Sequence, residues 1–155
     1  MRISGINEND VVNGKGICVS VFMQGCPHQC KGCFNPETWD FKGGRAIEDE
    51  QKEIDNILNL INQNGVQRNL SILGGEPLHK NNISFVKNLL KQAKEKYPTI
   101  KTFVWTGYLL EELDKNDLQN IDILIDGKFI EELRDITLEL RGSSNQRILY
   151  KGKDF

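Results

Sequence analysis

Four short apolar runs, each followed at once by a small polar cluster, constrain this chain more than any other feature. They are Ile17 to Met23, Asn69 to Leu73, Thr99 to Trp105 and Ile121 to Ile125, and they have the β-branched and aromatic content of buried strands. Between the first two, Ile47, Ile54, Ile57, Leu58 and Ile61 recur at helical spacing and predict a helix from about Ile47 to Gln63. Glu48, Asp49 and Glu50 suit its positive end, and Asn64-Gly65 is its stop signal. Ile83, Val86, Leu89, Leu90, Ala93 and Tyr97 predict a second amphipathic helix that stops before Pro98. Tyr108 to Leu113 begins a third helix, Phe129 to Leu140 is open between helix and excursion, and Gln146 to Tyr150 reads as a last strand. Ahead of the first run, Asp10 to Gly16 reads as a strand end and a turn at Asn13-Gly14. Pro36 to Arg45 reads as an irregular surface excursion.

Strands alternating with helices build βαβ units and a mostly parallel sheet, so the expectation is an α/β fold in one domain, residues 1–155. In such sheets the chemistry gathers where the strands end. The first run ends in a loop holding Cys26, Cys30 and Cys33, and the second in Gly74-Gly75-Glu76-Pro77. The third ends in Thr106-Gly107 and the fourth in Asp126-Gly127-Lys128. Four polar clusters on one rim point to an enzyme.

Cys26, Cys30 and Cys33 are separated by three and then two residues, and Pro27 and Gly32 keep the stretch out of regular helix or strand. A cubane iron–sulfur cluster needs one outside ligand per iron, so three thiolates leave one iron open to bind a substrate. The same residues admit a structural zinc site with His28 or Cys18 as the fourth ligand. Cys18 also reads as a small core hydrophobe of the first strand. Disulfides are the third option and suit an oxidising compartment, whereas four cysteines without a signal peptide or long apolar run suit a reducing cytoplasm. No stretch reads as a membrane span. A net charge of −2 with dispersed lysines and arginines gives no footprint for nucleic acid.

Gly74 and Gly75 allow a ligand close to their backbone, and Glu76 could accept from an ammonium group or stand as an exposed turn glutamate. Asp126 and Lys128, two apart at a strand exit, are expected on one side, toward a ligand or as a salt-bridged pair. Phe34 covers a cofactor ring or packs the loop.

Cys26-x3-Cys30-x2-Cys33 followed by Phe34, with Gly74-Gly-Glu-Pro77 after the next strand, resembles the radical S-adenosylmethionine superfamily. More narrowly, Val11-Val-Asn-Gly, Phe22-Met-Gln-Gly-Cys26, Asn35-x2-Thr38-Trp39, Asp126-Gly-Lys-Phe129 and Arg141-Gly-Ser-Ser-Asn-Gln-Arg147 resemble the activating proteins of anaerobic ribonucleotide reductases. Cys18 departs from that pattern, near where many relatives carry arginine. The resemblance implies a short, partial (βα) barrel of mostly parallel strands with helices on the outside. It implies a [4Fe–4S] cluster on Cys26, Cys30 and Cys33, whose open iron is chelated by S-adenosylmethionine. Gly74, Gly75 and Glu76 would receive the ammonium group, Phe34 and Asn35 would border the adenine, and Thr106, Asp126 and Lys128 would lie near the ribose or carboxylate. One electron from a low-potential donor such as flavodoxin would cleave the sulfonium. The radical released would take a hydrogen atom from a glycine of the large subunit of the reductase. Another small radical enzyme acting on a metabolite, such as a deazaguanine-forming one, and a non-enzymatic zinc or iron–sulfur docking module are the alternatives.

Overall fold

A computed structural model describes residues 1–155. The strands are β1 (Arg2–Asp10), β2 (Cys18–Met23), β3 (Arg45–Ala46), β4 (Asn69–Gly74), β5 (Thr102–Trp105), β6 (Ile123–Asp126) and β7 (Arg147–Tyr150). They form one sheet in the order β3-β1-β2-β4-β5-β6-β7. β2, β4, β5 and β6 are parallel, and these are the four runs legible in the sequence. β1 is antiparallel to β2 and β3, and β7 is antiparallel to β6.

Side chains alternate across a strand, and here the two faces have separate roles. Val19, Val21 and Met23 of β2, Leu70 and Ile72 of β4, Val104 of β5 and Leu124 of β6 join the main core. The two α-helices pack on that face. α1 (Glu50–Ile61) buries Ile54, Ile57, Leu58 and Ile61, and α2 (Ile83–Lys96) buries Phe85, Val86, Leu89, Leu90 and Ala93. Fully burying one such aliphatic side chain contributes about 1.5–3 kcal/mol, so the buried stripe rather than intrinsic propensity holds each helix. α1 starts later than its periodicity predicts. Arg45–Ala46 pairs with β1, the Ile47 amide donates to Met1, and Asp49 then caps the helix by accepting from the Lys52 amide.

The opposite face carries a smaller apolar group, Phe103, Ile123 and Ile125 with Trp105, Ile148 and Leu140. Two irregular segments cross it. One runs from Val11 to Ile17, where the Asn13 carbonyl accepts from Ser71 Oγ. The other runs from Phe129 to Gln146, where the Leu140 carbonyl accepts from Trp105 Nε1 at 2.8 Å. An exposed Lys15–Glu139 ion pair at 3.5 Å joins the two straps.

The third helix expected from Tyr108 does not form. Two 3₁₀ turns, Leu110–Glu112 and Lys115–Leu118, take its place. Glu112 reaches back to the Leu109 amide, Asp126 takes the Leu110 amide, and Asp114 takes the Asn116 amide. These side chains cap the two short turns, and the backbone goes extended at Leu113–Asp114 and again at Gln119, so no α-helix propagates. The connection from β5 to β6 therefore lacks the α-helix of a regular βαβ unit.

Candidate functional site

β2 hands the chain to the cysteine loop through a pinned stem. Gln24 is buried and its side-chain amide donates to the Glu37 and Asp40 carbonyls. The Gly25 and Cys26 amides donate to Thr38 and Trp39 at 2.7 and 3.1 Å. The stretch expected as a surface excursion is thus a brace for the loop, and its Thr38 is buried. Within the loop the Cys33 amide closes a turn onto the Cys30 carbonyl, and the Asn35 amide donates to Cys33 Sγ at 3.4 Å. Cys26, Cys30 and Cys33 are free, partly buried, and share the wall of one cavity of about 380 Å³. Burial pushes the Cys26 and Cys30 thiols up. Iron would reverse that preference by placing positive charge beside the sulfurs.

Both candidate fourth zinc ligands are engaged elsewhere. Cys18 is fully buried at the start of β2, with its thiol against the Lys15 carbonyl. His28 points its Nε2 at Glu76, 2.8 Å away, and packs edge-on against Tyr108. Three half-buried thiols on one cavity, with a backbone amide directed at one sulfur, fit a thiolate-held iron–sulfur cluster with an open iron.

The turn after β4 lies against the loop's stem. The Gly75 amide donates to Met23 and the Glu76 amide to Gly25, both at 2.8 Å. A side chain at Gly75 would put its Cβ 2.5 Å from the Gly25 carbonyl oxygen, so the close approach requires glycine there. Gly74 and Gly75 line the cavity. Glu76 is completely buried and is not the exposed turn glutamate that the sequence allowed. Its Oε1 accepts from Thr106 Oγ1 and the Leu78 amide, and its Oε2 from His28 and the Gly107 amide. Thr106 is therefore on the rim, but its hydroxyl is directed at Glu76.

The exit of β6 differs from expectation. Asp126 is fully buried and is not on the cavity wall. It holds Arg147 of β7, 2.9 Å from Nε, and accepts from the Leu110 amide at 2.8 Å. Gly127 at φ +95° turns the backbone, so Asp126 and Lys128 do not share a side, and only Lys128 reaches the cavity. Hydrogen bonds to Asp126 first and Glu111 second raise the Arg147 pKa further. Phe34 is half-exposed on the cavity wall, 5.1 Å from the Phe129 ring centroid, with the Arg134 guanidinium 5.1 Å from its own. Asn35 lines the cavity beside it.

The cavity continues from the rim across the strapped face of the sheet. Val12 and Asn13 from the first strap and Ile136, Leu138 and Arg141 from the second line this extension. Val12 and Ile136 are 75% and 81% exposed, respectively, which makes the lips apolar. The sequence read the first strap as a strand end with a turn and left Phe129 to Leu140 open between helix and excursion, because nothing local tells which sheet face a loop will cross.

The family model described as "4Fe-4S single cluster domain" matches residues 12–149. A Vibrio cholerae protein named anaerobic ribonucleoside-triphosphate reductase-activating protein is 44% identical over 142 residues, 90% of this chain and 91% of that one. A Haemophilus influenzae protein of the same name is 41% identical over 143 residues, 90% of this chain and 91% of that one. A third, from Enterobacteria phage T4, is 34% identical over 149 residues, 96% of this chain and 93% of that one.

Proposed function

The chain belongs to the family of anaerobic ribonucleoside-triphosphate reductase-activating proteins, and from this membership and the cavity geometry we propose that it installs a glycyl radical on an anaerobic ribonucleotide reductase. The observation that carries the proposal is the sharing of one cavity by Cys26, Cys30, Cys33 and the Gly74–Gly75 turn.

Cys26, Cys30 and Cys33 would hold a [4Fe–4S] cluster. When bound, the cluster would supply the low-potential electron for reductive cleavage of S-adenosylmethionine to methionine and a 5′-deoxyadenosyl group, the chemistry that removing a hydrogen atom from a glycine of the reductase large subunit requires. Around it, the backbone of Gly74 and Gly75 would receive the ammonium group. Phe34 and Asn35 would border the adenine, and Lys128 would neutralise the carboxylate. Thr106 would act through Glu76, and Asp126 would hold Arg147 rather than the cofactor. The straps cover one face of the sheet, and we read the exposed Val12 and Ile136 on the cavity wall as the mouth through which a polypeptide loop would reach the rim. An exposed ion pair, Lys15–Glu139, joins the two straps, and such pairs are worth about 0–1 kcal/mol. A donor such as flavodoxin, a cytoplasmic location and a single domain forming a trimmed, partial (βα) barrel complete the reading. No helix is long and apolar enough to cross a membrane.

The test is anaerobic reconstitution with iron and sulfide, then reduction in the presence of S-adenosylmethionine and purified reductase. The expected result is release of 5′-deoxyadenosine together with a glycyl-radical electron paramagnetic resonance signal on the reductase. Nucleoside release without that signal would point to a metabolite substrate, and zinc retained in place of iron would restore the structural reading.

A further inference from the structure

Glu76 is saturated by the protein itself. A carboxylate has about four lone-pair sites, and here each oxygen already takes two donors, at 2.7 to 3.0 Å. The donors come from three places: His28 from the cysteine loop, Leu78 from the residue's own turn, and Thr106 and Gly107 from the exit of β5. The His28 side chain is only 7% exposed. Gly107 completes the arrangement, since a Cβ there would lie 2.4 Å from the His28 ring. Behind the turn, Asn82 Nδ2 donates to the Glu76 and Gln24 carbonyls, so the backbone of Glu76 is fixed as well.

We propose that Glu76 is a positioning residue, a buried clamp that ties the cysteine loop through His28 to the exits of β4 and β5, and not the receptor of the substrate ammonium group. The consequence is a division of labour at the rim. Gly74 and Gly75 offer backbone carbonyls to an ammonium, while Glu76 and His28 fix the distance between the loop that holds the thiols and the turn that holds the ligand. His28 is the only donor to this carboxyl group supplied by the cysteine loop. The proposal refines the activase reading, but its first test is independent of that reading.

The first test labels thiols in the metal-free chain and follows each cysteine by mass spectrometry. His28→Ala and Glu76→Gln are expected to speed labelling of Cys26, Cys30 and Cys33 by about tenfold or more, through local opening of the loop. Cys18, buried in β2, should keep its slow rate in both and so report that the fold is intact. His28→Gln, which keeps a donor of similar reach, should restore slow labelling. Unchanged loop rates would overturn the proposal. So would equal acceleration of all four cysteines, since the bond would then support the whole fold rather than the loop. The second test measures S-adenosylmethionine affinity on the cluster-loaded chain in a double-mutant cycle. A clamp predicts that the doubly substituted chain is no weaker than the weaker single one. A Glu76→Gln effect much larger than that of His28→Ala and additive with it would return the ammonium to Glu76. Failure of every chain to bind S-adenosylmethionine would sink the activase reading and leave the thiol result standing.

Discussion

Replacing Asp126 separates a structural tie from a cofactor contact. Its carboxylate is fully buried, accepts from the Leu110 amide at 2.8 Å, and pairs with Arg147, whose side chain is 40% exposed and also reaches Glu111. Removing one partner of a fully buried pair costs about 3–5 kcal/mol, and stranding one buried amide about 1–3 kcal/mol. Arg147 keeps solvent and Glu111, and the Leu110 amide is only part-buried, so both figures are discounted and we expect a combined loss of about 2–3 kcal/mol for Asp126→Ala. Asp126→Asn keeps an oxygen for the Leu110 amide and should lose about half of that. With a urea dependence of about 2 kcal/mol per M, the alanine midpoint should fall by about 1–1.5 M. The assay is equilibrium urea unfolding of the metal-free chain, followed by S-adenosylmethionine affinity of the loaded chain for the asparagine form. Affinity should stay within about threefold of the parent, because Asp126 is off the cavity wall. An unchanged urea midpoint with collapsed affinity would refute the reasoning and turn Asp126 toward the cofactor.

Cys33→Ala is expected to abolish S-adenosylmethionine cleavage and lower iron content on reconstitution, whereas Cys18→Ala should retain both, because Cys18 packs beneath the first strap; iron analysis and nucleoside release check this, and equal losses would remove Cys33 from the ligand set. Val12→Glu and Ile136→Glu should raise the reductase concentration for half-maximal radical formation by about tenfold while reductase-free nucleoside release is unchanged. A fall in that release would place these side chains at the cofactor instead of at the mouth. Burial raises Asp122, but Lys94 and the Thr102 amide outweigh it and hold the carboxyl below its ordinary value. A depressed folded-state pKa contributes stability above the unfolded value, about 3.9, and loses it as pH falls through the folded one. The stability gap between the parent and Asp122→Asn, from urea titrations, should therefore be constant above about pH 5 and shrink below about pH 4. A gap independent of pH would show that the ion pair is not its source.

The legible parts of this molecule are those whose physics is local. Cys26, Cys30 and Cys33 fall within eight residues, and the periodicity of Ile54, Ile57, Leu58 and Ile61 is a property of one helix. The parallel strands announce themselves as apolar runs because both faces are covered. β1 does not, since most of its nine residues remain partly or fully exposed and only Ile3 and Asp10 are buried. The missed contacts are pairings across the chain. His28 and Glu76 are 48 residues apart, Asp126 and Arg147 are 21 apart, and no spacing rule brings either pair together. The third helix stops after one 3₁₀ turn because the backbone goes extended at Leu113, and the partner of the Leu110 amide, Asp126, lies 16 residues on, beyond the reach of any local pattern.

These long-range pairs share a pattern that bears on how the rim works. Glu76, leaving β4, is held by donors at the exit of β5, and Asp126, ending β6, is held by Arg147 of β7. Each carboxylate is fully buried and directed sideways along the sheet. Glu76, His28 and Thr106 line the rim end of the cavity with their polar atoms engaged on one another, and beside them stand the three cysteines, glycine backbone, Phe34, Asn35 and Lys128. Lateral bracing of this kind fixes strand exits relative to one another, which is where small displacements matter most: a reacting hydrogen must come within about 3–3.5 Å of its acceptor. The helices contribute on the other face, where the main apolar core is independent of the cavity. Substitutions in α1 or α2 should then lower stability at nearly constant coupling of nucleoside release to radical formation. Loosening a rim carboxylate should do the reverse, releasing nucleoside without a matching radical at nearly constant fold. A rim variant whose coupling loss merely tracked its loss of stability would show that the two faces are not separate in function.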